Sequence, residues 1–162
     1  MDMYEGIIKV FHYNKDGELL YKNNAEFFNI GTENLLKGYF QNVNAPDYFL
    51  IDLSNDVTLD ETSSTFTAVA GSGYDSEVVN RNAVDMSVNF VTDGGNSFWR
   101  VLTKVVSFNA DSTWSWARKV VLRGVAGVTP FLIGYGDLVT PREMKAGDRL
   151  DISIYLKPKL TS

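Results

Sequence analysis

Residues 147–156 read GDRLDISIYL, and their pattern decides the fold class. Leu150, Ile152, Ile154 and Leu156 alternate with Asp151, Ser153 and Tyr155, the period of two expected of a strand with one face on a core. Ala146-Gly147-Asp148 turns the chain into it. Working back, the same period recurs over residues 84–90. There Val84, Met86, Val88 and Phe90 fall on one side, and Asp85, Ser87 and Asn89 on the other. Asp93-Gly94-Gly95-Asn96 then supplies a turn, and FWRVLTKVVSF (98–108) a return strand. GIIKVFHY (6–13) begins the chain's regular structure and is followed by a Lys15-Asp16-Gly17 hairpin step. DYFLIDLS (47–54) follows Pro46, with Phe49, Ile51 and Leu53 on one face. SWARKVVLRGV and PFLIGYGDL complete the set.

About eight antiparallel strands at short spacing, punctuated by Gly and Asp, predict an all-β, single β-sandwich or jelly-roll-like domain over residues 1–162. One short helix is expected near residues 32–41, where Leu35, Leu36, Tyr39 and Phe40 recur at helical spacing behind Thr32. Residues 1–24 read as an extended N-terminal arm or a hairpin. Between Asn55 and Ser76 the chain is polar and reads as a surface excursion, with TFTAVA its one weak strand signal.

At 162 residues the chain is long enough for one ordinary core. Its net charge of −5 argues against binding nucleic acid, which needs a basic field to release counterions. There is no cysteine, so thiolate chemistry and disulfides are excluded. The first residues, MDMYEGIIKV, do not resemble a secretion signal. No run approaches the roughly 18 apolar residues a spanning helix needs. No membrane partner and no cofactor are expected.

Motifs for catalysis are equally sparse. The single histidine, His12, sits between Phe11 and Tyr13 and reads as a satisfied or surface imidazole, with no G-x-S-x-G elbow to serve. Asp52, Asn55, Asp56, Asp60 and Glu61 place oxygen ligands close together, as calcium requires. Their spacing is not that of an EF-hand, and the stretch reads as a solvated acidic loop. A glycosidase-like carboxylate pair cannot be read from spacing, and a hydrolase is the least favoured class. Trp114 and Trp116 share a face if STWSWAR is extended, either as a docking platform or with at least one of them in the core. Trp99, between Phe98 and Arg100, reads as structural.

The order of these signals carries a resemblance. NNAEFFNIGTENLLKGYF, then YFLIDLS, then GSGYDSEVVNRN…VNF, and finally WARKVVLRG…PFLIGYGDLVTPREMKAGDRLDISI are similar to the elements of small structural proteins of tailed bacteriophages. These include head decoration (cement) proteins, head fibres and tail-associated modules. The resemblance spans most of the chain through short elements. Asp75 stands where the family pattern has an arginine after the Gly-Tyr step, with Arg81 the next available. The resemblance implies a non-enzymatic virion protein, assembled in the host cytoplasm, that decorates a capsid as a homo-oligomer. Its partners would be the major capsid protein or other virion proteins. Tyr74, Asp75, Arg81, Trp114 and Trp116 are the candidate partner contacts. Residues 71–76 serve either as an adaptable contact loop or as an Ω-like connection, and the N-terminal segment either as a strand-donating arm or as an edge strand. The alternatives are a tail or neck component, and a carbohydrate- or receptor-binding module built on the tryptophans.

Overall fold

The 147–156 stretch forms the last strand of an antiparallel ladder and lies near its middle. The computed structural model describes residues 4–29, 46–59 and 65–158, and these hold ten strands. They are β1 (Tyr4–Tyr13), β2 (Leu19–Asn29), β3 (Tyr48–Ser54), β4 (Glu77–Asn80) and β5 (Met86–Asp93). They continue as β6 (Asn96–Thr103), β7 (Val106–Asn109), β8 (Ala117–Ala126), β9 (Thr129–Arg142) and β10 (Arg149–Pro158). The expected helix near 32–41 lies outside the described residues, and among the described residues there is none.

Hydrogen bonding orders the strands β4-β3-β8-β9-β2-β1-β10-β6-β5, with β7 also on β10. β2 and β9 meet over only three residue pairs, Phe27–Asn29 against Gly136–Gly134. That short seam lets the ladder fold over into two antiparallel layers. Ile8, Val10, Val106, Phe108, Leu150, Ile152 and Ile154 come from one layer. Ile51, Leu53, Val79, Val120, Leu122 and Ile133 come from the other, and together they form a single buried cluster. The architecture is therefore all-β and sandwich-like. The jelly-roll order is not supported, because β1–β2, β5–β6 and β8–β9 are hairpins within the ladder, whereas a jelly roll winds two Greek keys across its sheets. The expectation of about eight strands becomes ten among the described residues, since β4 and β7 have only four residues each.

Local chemistry explains the turns. Gly17 at φ +83° closes the β1–β2 hairpin, while the Asn14 carbonyl and side chain collect the N–H groups of Asp16, Gly17 and Glu18. Gly94 and Gly95, at φ +57° and +83°, form the two-residue β5–β6 turn that needs positive φ twice. β1 is paired on both sides, by β2 and by β10, over nearly its whole length. Residues 4–13 are therefore an interior strand and not a free arm or an edge.

Two expectations from alternation are corrected. Val84 is 87 % exposed and precedes β5, while Asp85, expected on the wet side, is buried. The reason is local: Asp85 accepts the Asn80 N–H (2.8 Å) and pairs with Lys104 (3.3 Å), tying the β4–β5 link down. Trp99, expected to be structural, is 61 % exposed because its neighbour Phe98 takes the buried side of β6.

Candidate functional site

The five candidate contact residues do not converge. Tyr74 is an internal post, stacked on Phe108 (5.9 Å between ring centres) and edge-on to Trp114 (5.5 Å). Its hydroxyl accepts the Leu53 N–H (3.0 Å) and donates to the Asp52 carboxylate (2.9 Å). Burial first, then the Asp52 charge, pushes its ionisation far above the usual tyrosine range. Trp114 is a core residue whose Nε1–H donates to the Ser72 carbonyl (2.7 Å). Tyr74 and Trp114 are thus withdrawn from the contact set. Asp75 is exposed and caps the Ser76 N–H; Arg81 is exposed and donates to the Pro46 carbonyl (2.7 Å). Trp116 is 44 % exposed, so the two tryptophans of STWSWAR point to different environments.

The Gly71–Ser76 loop is fastened along its length. Ser72 N–H donates to Ser112 Oγ, its carbonyl accepts the Asp111 N–H, and Ala70 exchanges two hydrogen bonds with Ser115. Gly71 is required by close approach: a Cβ there would fall 2.0 Å from Trp114 Cδ1. Gly71 places backbone against the indole, and Gly73, at φ +87°, against Asp111 and the Asn109 carbonyl, so neither loosens the loop. Of the two readings, this geometry matches the connection.

Besides the Asp85–Lys104 pair, three clusters hold the ionisable side chains that lie inside the fold among the described residues. Asp52, 1 % exposed, receives Arg123 (Nε 2.9 Å, Nη2 2.8 Å), the Tyr74 hydroxyl and the Ser76 hydroxyl. Lys119 pairs with Asp137 and lies over the Tyr135 ring. His12, 1 % exposed, donates from Nε2 to Asp148 (2.9 Å) and accepts at Nδ1 from Arg142 Nε (3.0 Å), the tautomer this network dictates. Burial lowers its pKa and the Arg142 charge adds to this, despite the opposing pull of Asp148. The sequence reading of a satisfied imidazole describes it. Its partners, 130 and 136 residues away, carry no local signal.

A cavity of about 450 Å³ opens beside His12, lined also by Leu20, Trp116, Arg142, Glu143 and Lys145. His12 presents no free nitrogen to it, because both ring atoms are engaged. Among the described residues no group of three or more His, Asp or Glu side chains is placed to hold a metal ion. Of the acidic-loop ligands, Asp52 is spent on Arg123, and Asp56 fastens Ser54 and the Thr67 N–H. Asp60 and Glu61 lie outside the described residues.

The most distinctive surface is one that alternation alone assigns to the interior. On the β5–β6 hairpin Val88 is 60 %, Phe90 59 % and Trp99 61 % exposed. The register sets Phe90 opposite Trp99 and Val88 opposite Val101, so these side chains share a face, and the two rings are 5.3 Å apart. Comparison with protein-family models, with curated proteins and with solved structures finds no match to this chain.

Proposed function

We propose that this chain is a non-enzymatic structural protein of a bacteriophage virion, decorating the capsid through protein–protein contacts. The observation that carries this reading is the division of labour among its side chains. The buried ionisable groups are closed on one another as structural ties, while the exposed Val88, Phe90 and Trp99 share one face of the β5–β6 hairpin. Contiguous exposed apolar surface of this kind is typical of docking sites. The sequence resemblance to phage structural proteins supplies the setting, with the major capsid protein as partner. Such a contact must bury on the order of 1,000 Å² to be stable.

Sedimentation with capsids lacking the protein tests the reading. Saturable co-sedimentation is expected, and its absence at micromolar concentrations rejects decoration. A tail or neck position is the neighbouring alternative, and a labelled chain located on virions by electron microscopy separates the two.

Trp116 favours a second reading, as a carbohydrate-binding module. Its exposed ring borders the His12 cavity beside Asn14, Arg142 and Glu143, an aromatic platform with polar groups at its rim. A glycan array that responds in wild type and falls silent on Trp116→Ala supports it. A flat array dismisses it.

A further inference from the structure

The edge of the ladder at β5 carries none of the devices that normally protect one. Exposed edges are usually short, bulged, proline-bearing or marked with lysine. The opposite edge, β4, obeys this: it has four residues, begins with Glu77 and is followed directly by Arg81. β5 has eight residues in unbroken register with β6, and positions 86–92, MSVNFVT, contain no charge and no proline. Among the described residues, nothing pairs with its outer side.

The hairpin geometry says which backbone groups face outward. The Gly94-Gly95 turn makes Asp93 and Asn96 the closing hydrogen-bonded pair. Residues 87, 89 and 91 therefore bond inward to β6, and Val88, Phe90 and Thr92 direct N–H and C=O away from the sheet. The flanking contacts agree with this alternation. Asp85 O accepts the Lys104 N–H across the hairpin, and Met86 N–H turns outward to the Asn82 carbonyl.

We infer that β5 is the pairing strand for a second copy of this chain, joined antiparallel about a twofold axis at Asn89. Three features select a copy as the occupant. Residues 86–92 carry no charge and pair with their own copy in this register, and Asp93 falls opposite the partner's Asp85, whose carboxylate is already paired with Lys104 (3.3 Å). Its outward groups recur every second residue and match themselves under a twofold. In this register each Val88 faces the partner's Phe90, joining the two exposed aromatic–aliphatic faces into one strip. Phe and Trp side chains bury about 150–250 Å² each when fully covered, so the strip adds substantial apolar burial to the new backbone bonds. An isologous contact of this kind closes at two and does not propagate. The inference rests on the assembly reading above and names a mode of contact for it.

The chain has no cysteine, which makes cross-linking clean. Asn89→Cys places two thiols at a non-hydrogen-bonded antiparallel pair, where Cα atoms lie about 4.5 Å apart, within disulfide range. Under mild oxidation it should form a covalent dimer roughly tenfold or more faster than Val128→Cys on the exposed β8–β9 turn, because pairing raises the local thiol concentration. Wild type should sediment as a dimer, and Phe90→Lys and Val88→Lys as monomers with unchanged circular dichroism. Both positions are exposed, so if one variant fails to fold the other decides. Monomeric wild type at all concentrations overturns the inference, as does a dimer that both lysine variants leave intact. Capsid binding separates the two claims. A monomeric wild type that still binds capsids leaves the assembly reading standing, and a β5-paired dimer that ignores capsids leaves only the pairing.

Discussion

His12 shows how one buried residue sets a pH response. Its pKa is lowered below 6.5 in the folded chain, chiefly by burial, so unfolding takes up a proton on acidification. The stability it contributes is complete above about pH 6.5 and declines as pH falls from there toward its folded pKa. The melting temperature should therefore drop between about pH 7 and pH 5, and His12→Gln should flatten that slope; an unchanged slope excludes His12 as the source. Asp52 and Tyr74 form the other critical pairing. Tyr74→Phe keeps the stacking on Phe108 but abandons the Leu53 N–H and the Asp52 carboxylate, at about 2 kcal/mol in urea unfolding. Asp52→Asn leaves Arg123 without its counter-charge and should cost about 3–5 kcal/mol. Gly71→Ala forces a methyl into the Trp114 ring and should cost about 3 kcal/mol, read as lost stability together with a shift in Trp114 fluorescence.

At the scale of elements, the β5–β6 hairpin is the part whose sequence and placement diverge most. Its alternation correctly predicts strand, and Asp-Gly-Gly-Asn correctly predicts the turn. Alternation says only that two faces differ, though, and not which of them is covered. Val88, Phe90 and Trp99 share the face of the hairpin opposite Phe98, and all three are exposed. The turn itself is improvable. Gly94 has φ +57°, and a Cβ added there would meet no atom within 4 Å, a conformation that asparagine tolerates well. Gly94→Asn should raise stability by about 0.5 kcal/mol through the unfolded chain, visible as a small increase in melting temperature. A decrease would argue against the two-residue turn.

At the scale of the molecule, the ends of the chain are bound together. β1 and β10 pair over ten residues near the middle of the ladder, although they lie at opposite ends of the sequence. Such topology implies slow, cooperative folding, because loop-closure entropy is spent before the central contacts form. Removing residues 1–13 should abolish the native near-ultraviolet spectrum altogether. A folded, partner-deficient product would instead be the signature of a dispensable arm.

The sequence alone determined the strand class, the turns at Gly17 and Gly94–Gly95, and the buried faces of β3 and β10, because period and turn chemistry are local properties. It could not reveal that Tyr74 and Trp114 face inward, that Arg142 and Asp148 close on His12, or that Phe90 and Trp99 stand outside. Those outcomes depend on which strands become neighbours when the ladder folds over at the β2–β9 seam. Burial belongs to a pair of surfaces, and a single strand encodes only one of them.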